Sequence, residues 1–415
     1  MKNRILALAA VFALGACGGG GGQQEPTGPA RLTVWIMDGS VTQDLLKTFE
    51  TRYEAEHPDV DLALQIQPWD GIGERVTAAL ASTDAPDVIE VGNTQVAQYA
   101  ASGGVTDLTA RIADLQGEDW LPGLAQPGNI DGKQYGIPWY AANRVVVYNK
   151  DLFAEADIDE PPKTRDEWLN ITKKLNKGGN QGIYLTGQTW YALAGFVWDE
   201  GGDLAIQEGG AWKGVLDTPQ ALAGMEFYQR LQALGKGPKD ADEANPPQHE
   251  VFAQGKVAQI IAAPGIAARV LEVEPGFKDK LGFFPIPGKT PDKPGAVFTG
   301  GSDLIVPVAS RHQEQAYEVV KALTGERFQT ELAKEMAFVP NRTSLAGVLA
   351  GDEATAAMAA GAAQGRATPN TPNWAAVEAT SVIKQYMTAV LTGGDPRAEA
   401  RKVSESITTT LNSGS

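Results

Sequence analysis

Three short segments of this chain place a carboxylate, an amide, hydroxyls and an indole where a β-rich run gives way to a turn: Asp38-Gly39-Ser40, Pro68-Trp69-Asp70-Gly71 and Gly92-Asn93-Thr94-Gln95. Such a set suits recognition of a neutral, hydroxyl-rich ring. Carboxylates and amides pair with hydroxyl groups, and an indole face packs against apolar C–H groups. Asp, Asn and Ser after a strand are equally the residues that cap a following helix, so each also admits a purely structural role. Nine tryptophans occur in 415 residues. Trp35, inside a β-rich run, and Trp168, inside a helical one, are expected in the core. Trp69, Trp139, Trp190, Trp198 and Trp374 stand at element ends or beside Gly and Pro, where a partly exposed ring is expected.

Other chemistry finds less support. The three histidines, His57, His249 and His312, are scattered and none neighbours a cysteine, so no metal site is expected. The chain has no Gly-x-Ser-x-Gly turn, phosphate-binding loop or dinucleotide fingerprint, and no cofactor is expected. A secreted glycoside hydrolase, which needs two facing carboxylates, stays open as the rival reading. The 51 acidic residues could supply a pair, but no motif marks one.

The elements that must hold these residues are read from periodicity. Residues 31–37 (RLTVWIM) form a first strand. Leu45, Leu46, Phe49 and Tyr53 share one face of a helix over 42–56, which His57-Pro58 ends. Val60, Leu62, Leu64 and Ile66 alternate with Asp61, Ala63 and Gln65 as a second strand. A helix over 72–82, a strand over 87–91 and a helix over 94–101 follow. This order predicts parallel crossover units with helices on both faces of the sheet. Ligands of such sheets bind beyond the C-terminal strand ends, where the three opening segments lie. Further strands are expected over 144–148, 257–262, 281–286 and 304–308. Further helices are expected over 167–175, 219–234, 313–323, 374–391 and 397–411.

The N-terminus speaks to location. Lys2 and Arg4 precede an apolar run of about ten residues, short of the roughly 20 that span a bilayer. Leu14-Gly15-Ala16-Cys17 then reads as a cleavage site. Cys17 is the only cysteine, and a glycine run follows it. The pattern predicts a signal peptide over 1–16, acylation of Cys17 and a flexible leash over 17–30. That would tether the domain at the extracellular face of the cytoplasmic membrane. An ordinary signal peptide with an incidental cysteine is the alternative. One cysteine excludes an internal disulfide. The net charge of −16 argues against nucleic acid or an anionic bilayer as partner.

Gly136-Ile137-Pro138-Trp139-Tyr140, followed by Tyr148-Asn149-Lys150-Asp151-Leu152-Phe153, resembles the G-x-P … YNKDLF block of bacterial extracellular solute-binding proteins, family 1, which serve carbohydrate ABC importers. Ala85-Pro86-Asp87-Val88, Gly300-Gly301-Ser302, Val339-Pro340-Asn341-Arg342 and Pro369-Asn370-Thr371-Pro372-Asn373-Trp374 match in the same order. The resemblance therefore spans essentially the whole mature chain. Within it, segments 34–40, 69–72, 91–95 and 142–146 resemble the N,N′-diacetylchitobiose-binding lipoproteins of actinobacterial importers.

The resemblance implies an α/β, type II periplasmic-binding-protein fold: two doubly wound lobes joined by a three-segment hinge. Residues 31–140 and 300–341 would form the first lobe, and 144–297 and 344–412 the second, with crossovers at 140–143, 297–300 and 341–344. It implies an oligosaccharide between the lobes. Asp38, Ser40, Trp69, Asp70, Asn93, Ser302 and Asp303 would line the first-lobe side. Tyr140, Trp190, Trp198, Gly265 and Trp374 would line the other, with Arg342 near the third crossover. N,N′-diacetylchitobiose or a related chitooligosaccharide is the leading ligand; maltose, cellobiose and trehalose are alternatives. A monomer without catalytic activity, docking on ABC permease subunits, is implied as well. Two departures stand out. Asp303 occupies a position that is often non-acidic in the family, and Ala263-Pro264-Gly265 stands where many relatives carry Gly-x-Trp.

Overall fold

The structure, a computed structural model, describes residues 29–369 and 371–413. The expected signal peptide, Cys17 and the leash to residue 28 lie outside the described residues, as does Asn370. The chain opens with β1 (Ala30–Met37), α1 (Gln43–Glu56), β2 (Val60–Gln67), α2 (Ile72–Leu80) and β3 (Val88–Gly92). β1 pairs in parallel with β2 and with β3. Alternation along β1 turns Leu32, Val34 and Ile36 into one core, where they meet Leu45, Leu46, Phe49 and Tyr53 of α1. The Thr42 hydroxyl caps α1 by accepting the Leu45 N–H at 3.2 Å.

Next come β4 (Ile137–Asn143), β5 (Val145–Asn149), α3 (Trp190–Asp199), β6 (Gln259–Ala262), α4 (Ile266–Val273) and β7 (Leu281–Phe284). β8 (Val297–Ile305), α5 (Glu326–Met336), β9 (Val339–Pro340) and α6 (Trp374–Ala379) follow. The larger sheet runs β9-β4-β8-β3-β1-β2 and the second β6-β5-β7. The expected parallel crossovers hold for β1 to β3. In the second sheet β5 is central and both its neighbours are antiparallel, and β8 joins the first sheet antiparallel to β3 and β4. Side-chain periodicity carries no information on strand direction, which depends on where each long connection returns.

Two large apolar cores result. One joins β1, β2 and α1 to Trp139, Leu304, Val320 and Phe328. The other joins Trp168, Phe196, Phe227 and Tyr228 to Trp374, Met387 and Ile407. β8 serves both, with Val297 and Phe298 in the second core and Leu304 in the first. Between them Gly301 faces β4 so closely that a Cβ there would sit 2.7 Å from the Tyr140 carbonyl oxygen. Residues 140–143, the first expected crossover, form the paired end of β4. The helix expected over 374–391 breaks after Ala379. Ser381 takes a left-handed backbone, φ 53°, and a new helix, Val382–Leu391, begins. The Thr380 hydroxyl donates to the Ala376 carbonyl at 3.0 Å, competing with the helical ladder at that point.

Candidate functional site

The C-terminal ends of β1 to β3 meet α4 and α6, which rise from the other part of the molecule. After β1, Asp38 Oδ1 accepts from Arg269 Nη1 of α4 at 2.9 Å. After β3, Thr94 Oγ1 donates to Glu378 Oε2 of α6 at 3.3 Å. After β2, Trp69 stands 42% exposed, its Nε1 donating to the Asp38 carbonyl at 3.0 Å. That bond fixes the indole edge and leaves much of the ring open. Arg75 holds the same loop by donating to the Asp70 carbonyl at 2.9 Å and to the Pro68 carbonyl. Asp70 itself is exposed beside Trp69, and Asn93 is half-buried at the head of the 93–95 turn. Gly265, capping α4, presses against Met336 and Phe338. A Cβ there would sit 2.8 Å from each, so the missing aromatic ring has no room.

Across the seam, α6 presents Trp374 and Glu378 one helical turn apart. Trp374 Nε1 donates to Glu378 Oε1 at 2.8 Å. Burial pushes the Glu378 carboxyl up to about 7, although the bonds from Trp374 and Thr94 pull the other way. Aromatic contacts continue from Trp374 to Trp190 (6.2 Å between centroids), on to Tyr191 (3.9 Å) and then to Phe298 (4.5 Å). Arg144 lies 4.7 Å over the Tyr191 ring and donates to Glu243 Oε1 at 2.6 Å. Arg144, Tyr191, Arg269 and Glu378 are functional candidates that the sequence did not single out. The i, i+4 spacing of Trp374 and Glu378 on a helix was the signal available for the last.

Other expected site residues serve the first core. Glu90 is wholly buried in β3. Its Oε1 accepts the Ser40 hydroxyl at 2.6 Å and the Tyr140 hydroxyl at 3.0 Å, and its Oε2 accepts the Met37 N–H at 2.7 Å. The Ser302 hydroxyl closes the network on Tyr140 at 3.2 Å. Burial still pushes the Glu90 carboxyl up to about 7. Ser40, Tyr140 and Ser302 thus tie β1, β3, β4 and β8 together around a buried acid, as buried polar groups require. Arg342 braces the same core, donating to the Thr324 carbonyl at 3.0 Å and to the Gln116 side chain. Trp198 lies two turns along α3 from Trp190, and its Nε1 donates to Asp203 Oδ1 at 3.0 Å. The partly exposed rings expected at Trp139, Trp190, Trp198 and Trp374 are all buried, whereas Trp35, expected in the core, is half-exposed. Long neighbouring segments, invisible to local periodicity, decide which ring is covered.

Asp303 is buried in β8, and neither carboxyl oxygen has a hydrogen-bond partner among the described residues. Burial pushes it up to about 8. A raised acid holds its proton longer folded than unfolded, so this residue subtracts stability as pH climbs from about 4 towards 8. Asp303→Asn is expected to gain on the parent steadily as pH rises above about 4 and to melt clearly above it at pH 8.5. Equal melting curves at pH 8.5 would contradict the buried, unpartnered carboxylate.

A mixed-sheet pair of α/β lobes meeting at strand ends, with polar groups bridging the seam, is the architecture of a ligand-capturing receptor. Over residues 37–330 the chain matches the family model of the bacterial extracellular solute-binding proteins, and it belongs to that family. It is 40% identical over 422 residues to the diacetylchitobiose binding protein DasA of Streptomyces coelicolor, covering 97% of each chain. It is 24% identical to the galactooligosaccharide-binding protein of Bacillus subtilis, covering 89% of this chain and 87% of that one. The GacH receptor of Streptomyces glaucescens shares the fold with a TM-score of 0.82 at 23% identity, covering 93% of this chain and 99% of that one. An ABC transporter solute-binding protein of Thermotoga lettingae, solved with α-D-tagatose, gives 0.83 at 22% identity, covering 92% and 100%. The type II periplasmic-binding fold implied by the sequence is the fold of this chain.

Proposed function

We propose that this protein captures N,N′-diacetylchitobiose, or a related chitooligosaccharide, between its lobes and delivers it unaltered to an ABC importer. The observation that carries this reading is the open Trp69 ring, set at the strand ends beside a seam that Asp38 and Arg269 bridge. The 40% identity to the diacetylchitobiose binding protein of Streptomyces coelicolor supports the choice of sugar. In this mechanism the lobes rotate about segments 140–143, 297–300 and 341–344. The sugar favours closure by the contacts it gains only when both lobes reach it. Trp69 stacks on a pyranose face, while Asp38, Asn93 and Glu378 take hydroxyl or acetamido groups. Acylated Cys17 holds the monomer at the outer membrane surface, where it meets the permease subunits.

Calorimetry of the mature chain against N,N′-diacetylchitobiose, maltose, cellobiose and trehalose tests this. The chitobiose is expected to bind tightest, stabilising the fold by about 2.7 kcal/mol at 100 times its dissociation constant. Trp69→Ala is expected to weaken it by about 2 kcal/mol, roughly 30-fold, with an unchanged melting temperature because the ring belongs to neither core. Unchanged affinity in that variant would remove Trp69 from the site. Release of N-acetylglucosamine during incubation would favour the glycosidase instead.

A further inference from the structure

An open groove of about 620 Å³ lies on the first lobe at the end of the sheet opposite the seam. Its floor is the sheet face beside α2, whose Arg75, Ala78 and Ala79 form one wall. The alternation that buries Leu32, Val34 and Ile36 turns Arg31, Thr33 and Trp35 to the other face of β1. The nine residues of α2 cover only the far end of that face, around Met37 and Ile89. Trp35 is therefore left half-exposed, and its Nε1 donates to Gln65 Oε1, its register partner on β2, at 3.1 Å. The indole is pinned by its edge, as a stacking platform needs.

Both signs of charge line the walls, cations in slight excess. Arg31, Arg75 and Arg311 line the groove. Of its two acids Asp84 is exposed, while Asp87 is buried with both oxygens engaged: it accepts the Thr33 N–H at 2.8 Å and the Ser310 hydroxyl at 2.6 Å. Two of the arginines have bonding capacity left over: Arg31 meets Asp61 only at 3.8 Å, and Arg311 donates only to the Thr83 carbonyl at 3.3 Å, whereas Arg75 is committed to the Pro68 and Asp70 carbonyls. The lining thus carries three arginines against two acids, on a chain of net charge −16.

We propose that the groove is a second ligand site, for a sugar ring bearing an anionic substituent, either carboxylate or phosphate. The Trp35 face would lie under the ring, Gln65 would take a hydroxyl, and the Arg31 and Arg311 guanidinium groups would hold the anion through their forked donors. The groove is of small-ligand size.

The test is saturation-transfer NMR and titration of the full chain with digalacturonate for the carboxylate and glucose 6-phosphate for the phosphate. Saturating N,N′-diacetylchitobiose is included throughout. At least one anionic sugar is expected to bind saturably, more weakly at high salt, and to stay bound in the presence of the chitobiose. The double variant Arg31→Glu/Arg311→Glu, on two exposed side chains, is expected to weaken it at least about tenfold without lowering the melting temperature. Trp35→Ala is expected to abolish transfer to the ring protons. No saturable binding of either sugar, undiminished binding in the double variant, or displacement by the chitobiose would each overturn the proposal.

Discussion

Trp374→Ala is expected to lose about 3–5 kcal/mol of folding stability, and to lose saccharide binding as a consequence of that loss. Its ring is 0% exposed and packs in the second core against Trp190. The substitution would leave a cavity where two long segments of the chain meet. It would also strip Glu378 of its shorter hydrogen bond, leaving a half-buried carboxyl with the 3.3 Å contact to Thr94. Trp374→Phe separates the two effects, because it keeps most of the volume and removes only the N–H donor. Urea unfolding is the measurement: the alanine variant should unfold at much lower denaturant, and the phenylalanine variant in between. An alanine variant that unfolds with the parent yet fails to bind sugar would instead put the ring in direct contact with ligand.

That expectation reverses what position alone suggests for Trp374, and the reason is general to this chain. Periodicity shows which residues lie at strand ends, and it is enough to put Asp38, Trp69 and Asn93 there. It also defines one-sided amphipathic elements, and the helix Gln313–Leu323 falls within its anticipated bounds. It does not reveal what arrives from far along the chain. Arg269 lies 231 residues from Asp38, and Glu378 lies 284 from Thr94. Ser40, Tyr140 and Ser302 show a related ambiguity. The side chains that recognise a sugar hydroxyl are also those that solvate a buried carboxylate, and Glu90 gives no local sign that it is buried. The break at Ser381 is hidden because Ser and Thr sit in helices and at their ends alike.

Saccharide affinity is expected to fall as pH rises from about 4.5 to about 7, and to level off above that. With the lobes together, burial pushes the Glu378 carboxyl from 4.5 up to about 7. With the lobes apart, the same group meets water and titrates in the ordinary carboxylate range. The proton is therefore held more tightly in the closed form, and closure takes it up anywhere between these two values. Lower pH favours closure and ligand, by at most about tenfold per pH unit. Glu90 and Asp303 are also raised, but both lie inside the first lobe, so their titration bears on folding and not on closure. His249, beside Arg269 on the other flank of the seam, is pushed down by burial and by that guanidinium, so it opposes the trend below about 6.5, its ordinary value, and leaves it unopposed above. Glu378→Gln keeps a partner for Trp374 and Thr94 and is expected to flatten the profile. Titration calorimetry from pH 5 to 8, in buffers of different ionisation heat, reads the proton uptake directly. A flat parental profile, or a slope that survives in Glu378→Gln, would mean that closing the lobes does not bury this carboxylate.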